Sequence, residues 1–188
     1  MNLKLILLPT ALVMSVVANA ELVVNGGFES DFAPAGSYIV APTVTGWNVL
    51  PTGDVALIGV PYLGAPTTEL DLSGVADVAG SGVSQSLSTV AAQSYVLSFD
   101  VYTQGSSAVD VSFDGNVVAT NLQSVGGLRT NYVFNVTASG TASDLVLTSA
   151  GGNVSHIDNV SVQAVPEPAS LAVLGLGAVA LIRRRRTR

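Results

Sequence analysis

The stretch YVLSFDVY, Tyr95 to Tyr102, puts Tyr95, Leu97, Phe99 and Val101 on one side of an extended chain and Val96, Ser98, Asp100 and Tyr102 on the other. Strand side chains alternate with a period of two, so this is a strand with one face in a core and the other turned away from it. The pattern repeats outward. Val109, Val111 and Phe113 alternate in the same way, and Asp114-Gly115-Asn116 then turns the chain into Val117-Val118, a hairpin signature. Tyr132, Phe134 and Val136 make another strand, Leu145 and Leu147 a short one, and residues 154–162 the last. Upstream, residues 22–24, 47–50, 55–58, 69–72 and 83–88 read as strands, whereas 30–46 and 59–67, rich in Pro, Gly and Ala, read as long loops. No helical periodicity with capping signals interrupts the series. Some ten short strands separated by Gly, Ser, Asn and Asp turns predict an all-β fold, an antiparallel jelly-roll β-sandwich over residues 21–164.

The two ends read as addresses. Lys4 supplies a small positive region, Leu5 to Val17 an apolar run, and Ala18-Asn19-Ala20 a small-x-small cleavage site, so residues 1–20 are expected to be a signal peptide. At the other end, residues 165–188, Val165-Pro166-Glu167-Pro168 favours extended chain, Leu171 to Ile182 is apolar, and Arg183, Arg184, Arg185 and Arg186 follow. The apolar segment predicts a C-terminal transmembrane helix. Its length is roughly 18 Å against a hydrocarbon slab of roughly 30 Å, which suits a transient anchor better than a permanent one. An arginine cluster belongs on the cytoplasmic side, so everything before Pro166 lies across the membrane. The order of these parts resembles the PEP-CTERM sorting signal of Gram-negative bacteria that make extracellular polysaccharide. That resemblance implies an exosortase, a membrane cysteine protease, as processing partner, and a destination at the cell surface or in the extracellular matrix. An ordinary tail anchor is the alternative reading.

Charge narrows the partners. Twelve Asp and Glu residues between Glu21 and Asp158 face a single base, Arg129, while the remaining Lys and Arg sit in the two end segments. Internal ion pairing is therefore expected to be scarce, and the carboxylates to be solvated, bonded to backbone N–H groups or bound to a cation. Nucleic acid is excluded as a partner on electrostatic grounds. The chain has no cysteine, which removes disulfides, thiolate catalysis and thiolate metal ligands together.

A second set of phrases spans residues 22–162. Leu22-Val23-Val24-Asn25-Gly26-Gly27-Phe28-Glu29, Gly46-Trp47, Glu69-Leu70-Asp71-Leu72, Gly82 to Ser88, Tyr95 to Asp100 and His156-Ile157-Asp158-Asn159-Val160 together resemble galactose-binding-like jelly rolls, the fold of several carbohydrate-binding module families. The resemblance implies a structural Ca²⁺ held by Glu29 and Asp158 with backbone carbonyls near Asn25, and a further carboxylate at Asp54 or Glu69. The competing reading is that Glu29 caps a turn and Asp158 accepts backbone hydrogen bonds. Tyr38 and Tyr62, in the Pro and Gly loops, are the candidate stacking platforms for sugar. Trp47 is expected to plug the core, and His156 to be a packed or solvent-facing strand residue.

Catalysis finds little support. No nucleophile elbow, zinc motif or phosphate loop is present, and twelve scattered acids do not define a glycosidase pair. The expectation is a non-enzymatic, exported protein that binds extracellular polysaccharide in a biofilm matrix. A structural matrix protein without a glycan site and a glycan hydrolase are the alternatives.

Overall fold

The computed structural model describes residues 20–166. The expected signal peptide up to Asn19, the membrane helix at 171–182 and the arginine cluster Arg183 to Arg186 lie outside the described residues, as do Glu167 and Pro168 of the sorting motif.

Among the described residues eleven strands form two antiparallel sheets. They are β1 (Tyr38–Val40), β2 (Asn48–Val49), β3 (Ala56–Ile58), β4 (Glu69–Asp71), β5 (Gly82–Ser88), β6 (Ser94–Thr103), β7 (Val109–Phe113), β8 (Asn116–Leu122), β9 (Thr130–Thr137), β10 (Ala142–Ser149) and β11 (Ser155–Ala164). One sheet has the order β1-β3-β4-β11-β6-β9 and the other β2-β5-β10-β7-β8. The alternation in β6 does what its spacing requires: Tyr95, Leu97, Phe99 and Val101 are buried and point at the second sheet. Val83 and Leu87 from β5, Val109, Val111 and Phe113 from β7 and Leu145 and Leu147 from β10 meet them in one core. Each fully buried Leu or Phe contributes about 1.5–3 kcal/mol, so this slab is the main source of stability.

The turns explain themselves locally. Asp114 and Gly115 both take left-handed φ, 53° and 75°, between Phe113 and its partner Asn116, the geometry a two-residue hairpin needs to match strand twist. Gly26 has a different reason to be glycine. A Cβ there would lie 1.9 Å from the Val160 carbonyl oxygen, because residue 26 accepts the Val160 amide at 2.9 Å. Trp47 fills the core as expected, packed on Phe28 with ring centroids 5.9 Å apart and its Nε1 donating to the Asn25 carbonyl at 3.1 Å.

Three segments differ from the sequence reading. Residues 22–24 form no strand; instead the Glu21 carboxylate accepts the amides of Val23 at 3.0 Å and Val162 at 2.8 Å, and Leu22 donates to the Val162 carbonyl at 3.0 Å. The expected loop 30–46 contains β1, whose register against β3 runs Tyr38 to Ile58 through Val40 to Ala56. The expected loop 59–67 contains a 3-10 turn, Tyr62–Gly64. At β1, pairing with β3 decided a stretch whose local composition favours turns.

Candidate functional site

Cross-strand partners share a face of a sheet, so the register dictates what lies on the outer side of the six-stranded sheet. His156 on β11 sits opposite Asp71 on β4 and Tyr102 on β6. Asp158, two residues on, sits opposite Asp100, and Glu69, two residues before Asp71, opposite Ile58. The intervening Ile157, Leu70, Val101 and Leu57 enter the main core. Polar side chains therefore populate a face that ordinary alternation assigns to water. They are nevertheless buried: Glu69 and His156 are each 1 % exposed. A left-handed Asn159, φ 51°, accompanies a break in the β11–β6 register between Asp158 and Ser161 that re-aims the strand at this point.

The cover is the segment between β3 and β4. Tyr62 and Ala65 pack on Ala56 and Ile58 in a small second cluster. Thr67 donates its hydroxyl to Asp158 Oδ2 at 2.6 Å, and the Thr68 amide donates to Glu29 Oε1 at 2.7 Å.

Beneath it Glu69 is the hub. Arg129 grips it in a fork, Nε to Oε1 and Nη2 to Oε2 at 2.8 Å, and His156 Nδ1 reaches Oε2 at 2.9 Å. The Arg129 guanidinium carbon also stacks 4.6 Å over the Tyr102 ring. The lone base of the domain is thus fully engaged in an ion pair that charge counting made improbable. Burial pushes the Glu69 carboxyl up, but the hydrogen bonds and charges of His156 and Arg129 outweigh it and hold it below its ordinary range. Burial wins at Asp71, which is raised even though its Oδ1 accepts the Ser73 amide at 3.1 Å, the Ser73 hydroxyl at 2.7 Å and the Ser155 amide at 3.0 Å. Burial, with the charges of Glu69 and Asp100 added, also pushes Asp158 up to about 6. His156 Nε2 is buried without a hydrogen-bond partner, 3.8 Å from Asp71 Oδ2.

An open cleft of about 360 Å³ borders this row, lined among others by Tyr38, Tyr62, Asp71, Asp77, Gln104 and His156. Tyr38 and Tyr62 are its aromatic wall, ring centroids 5.6 Å apart and tilted by 53°. Tyr38 is 43 % exposed. The two tyrosines singled out in the sequence are therefore neighbours, one on a strand and one on the 3-10 turn.

The residues implied as calcium ligands are placed as follows. Glu29 and Asp158 both reach the Thr67-Thr68 segment, and each accepts a backbone amide, Asp158 from Asn159 at 2.7 Å. The Asn25 side chain turns elsewhere, donating to Asp31 Oδ2 at 2.8 Å and to the Thr45 carbonyl at 2.9 Å. Asp54 caps a turn, accepting the amides of Val75 and Ala76. Among the described residues no group of three or more His, Asp and Glu side chains is disposed to hold a metal ion.

Sequence reading missed the Glu69, Arg129, His156 and Asp71 constellation. The members are as much as 87 residues apart, and the available signal was thin: the domain's only histidine and only arginine, with Glu-Leu-Asp set among apolar strands.

The architecture is an all-β sandwich of two antiparallel sheets, similar to the jelly-roll domains of carbohydrate-binding modules. Among solved structures, the CBM22-1-GH10 modules of Clostridium thermocellum endo-1,4-β-D-xylanase 10B, complexed with xylohexaose, match with a TM-score of 0.50 and 20 % identity over 78 % of this chain and 29 % of that one. An arabinose-bound MgGH51 α-L-arabinofuranosidase matches with a TM-score of 0.52 and 16 % identity over 78 % of this chain. This chain spans 26 % of the arabinofuranosidase. The CBM22-1 xylan-binding domain of Paenibacillus barcinonensis Xyn10C is covered completely, with 73 % of this chain, 19 % identity and a TM-score of 0.48. Residues 164–186 match the PEP-CTERM protein-sorting motif. The motif marks an exported, sorted protein. No curated protein matches the sequence.

Proposed function

We propose that this protein is an exosortase-processed resident of the cell surface or extracellular matrix of a Gram-negative bacterium, where its galactose-binding-like sandwich binds polysaccharide without cleaving it. The observation that carries the reading is the exposed Tyr38 paired with the half-buried Tyr62 over a cleft bordered by Asp71 and His156. Aromatic faces beside hydrogen-bonding groups complement a pyranose, with its apolar C–H face and equatorial hydroxyls. The motif match supports export and sorting. A signal peptide at residues 1–20 and transient inner-membrane anchoring through 171–182 complete the route.

Asp158, held near 6, and Glu69, held low, are carboxylates with values pushed apart, as a hydrolase pair would be. The recess they line with Arg129 and Tyr102 is closed, which supports binding without cleavage. Calcium at Glu29 and Asp158 is proposed on their hard oxygen donors alone, since these oxygens also accept hydrogen bonds from Thr67, Thr68 and Asn159. Bound Ca²⁺ would raise the melting temperature relative to chelator, and an unchanged melting curve removes it.

Co-sedimentation with the producing organism's own exopolysaccharide tests the function. Saturable binding that Tyr38→Ala weakens is the expected result. Absence of binding leaves a sorted structural matrix protein and retires the carbohydrate reading.

A further inference from the structure

The four edges of the two sheets are not finished alike. An edge strand offers unpaired N–H and C=O groups to any extended chain, and folded proteins blunt it by making it short, bulged, charged or broken by proline. Three edges here are blunted. β1 has three residues and β2 has two, while β8 breaks register with β7 twice and carries a left-handed Asn121, φ 55°. β9 has none of these devices. It runs from Thr130 to Thr137 in unbroken register with β6, contains no charge and no proline, and has no strand on its other side among the described residues. Val133 at its centre is 60 % exposed.

The sequence of that edge says what it fits. Around Val133 it reads Asn131-Tyr132-Val133-Phe134-Asn135, the same in either direction but for one phenolic hydroxyl. Antiparallel pairing of two such strands about a two-fold axis at Val133 sets Val133 against Val133, each Tyr132 against Phe134 of the other copy, and each Asn131 against Asn135. Aromatic, β-branched and hydrogen-bonding pairs across strands each contribute about 0.2–1 kcal/mol. The bonds already made within the chain agree with this register. Asn131 Nδ2 donates to Asp100 at 2.8 Å, which leaves its Oδ1 to accept, and the Asn135 side-chain amide has no partner among the described residues and is free to donate.

Charge selects the same partner. The domain carries twelve acids against one base, so most of its surface repels a second copy. Residues 130–137 are uncharged, and the flanking Arg129 is engaged by Glu69. A basic protein would be drawn to the acids and not to this stretch.

We propose that β9 is a homodimerisation edge, joining two copies antiparallel about Val133 into one twelve-stranded sheet. The strand order then sets β1, and with it the Tyr38 cleft, at the two far edges of the joined sheet. The inference is independent of what the cleft binds.

The test is sedimentation equilibrium of the full chain in density-matched detergent, where a dimer at micromolar concentration is expected. Val133→Lys sets two ammonium groups against each other at the axis and should weaken the dimer by about tenfold or more, because like charges directly opposite destabilise a strand pair. Ser86→Lys, an equal charge change on the exposed face of the other sheet, should leave it intact. The chain has no cysteine, so introduced cysteines read the register. Val133→Cys should cross-link to its own copy on mild oxidation. Asn135→Cys should fail to do so alone and succeed when mixed with Asn131→Cys. A monomeric full chain overturns the proposal. So does a dimer that Val133→Lys leaves unchanged or that Ser86→Lys disrupts equally. Equal cross-linking of Val133→Cys and Asn135→Cys, each alone, overturns it as random collision. If Val133→Lys does not fold, the cysteine pattern decides.

Discussion

The outer faces of the two sheets were built by opposite rules. On the five-stranded sheet, β5, β10 and β7 bury one side only, and Ser86 and Asp144 stand opposite each other in solvent. On the six-stranded sheet, β3 and β4 are buried on both sides and β11 is buried on both from Ser155 to Asp158. The extra layer between β3 and β4 converts a polar sheet face into a second interior, and that interior holds carboxylates, an imidazole and the domain's arginine. The contrast teaches that the apolar slab makes the sandwich stable, while the covered polar face makes one side of it chemically distinct.

The comparison breaks most sharply at Glu69. Glu69→Ala leaves Arg129 and His156 without their shared acceptor, and should cost about 3–5 kcal/mol in denaturant unfolding. A loss below about 1 kcal/mol would mean that the covered face behaves like the open one. The next effect is in pH. Asp158 goes from an ordinary 3.8 to about 6 in the folded protein, so between these values the folded state holds more proton than the unfolded one. Stability therefore falls as pH rises through that window, by on the order of 2–3 kcal/mol. Asp71, also raised, adds to the fall, whereas Glu69, lowered, contributes stability that disappears only at lower pH. In Asp158→Asn the unfolding midpoint should lose most of its slope between about pH 4 and 6; an unaltered slope would assign the proton elsewhere. Tyr38→Ala should weaken polysaccharide binding about tenfold, roughly 1.4 kcal/mol, with little change in stability. The smallest change is Asp144→Asn, expected within about 0.5 kcal/mol of the parent.

The inner face was legible because burial on one side writes a period of two into the chain. Tyr95, Leu97, Phe99 and Val101 announced β6, and Asp114-Gly115 its neighbouring hairpin. The outer face was not, since a polar residue at an outward position looks the same whether water or another layer covers it. Glu69, Asp71 and His156 alternate with Leu70 and Ile157 as any solvated strand would. The cover itself, residues 59–68, has the composition of a loop and gives no sign of which surface it rests on. Tyr38 and Tyr62 were found through their loop context, but their meeting depends on the β1–β3 register, which three-residue strands do not encode locally. The ion pair escaped because a count of charges says how many partners exist and nothing about where they sit.

Strand β11 has the same register break that re-aims Asp158, and it also leads directly into the sorting motif, which begins at Ala164. It lies between β4 and β6 rather than at an edge, and Val165 is still tied in, its amide to the Ser94 carbonyl at 2.9 Å and its carbonyl to Gln93. Tension applied through the C-terminal segment is consequently borne by hydrogen-bond ladders on both flanks of a central strand. Strand β11 is the keel of the sandwich, and a pull at this end would load the whole hull before any plank comes away.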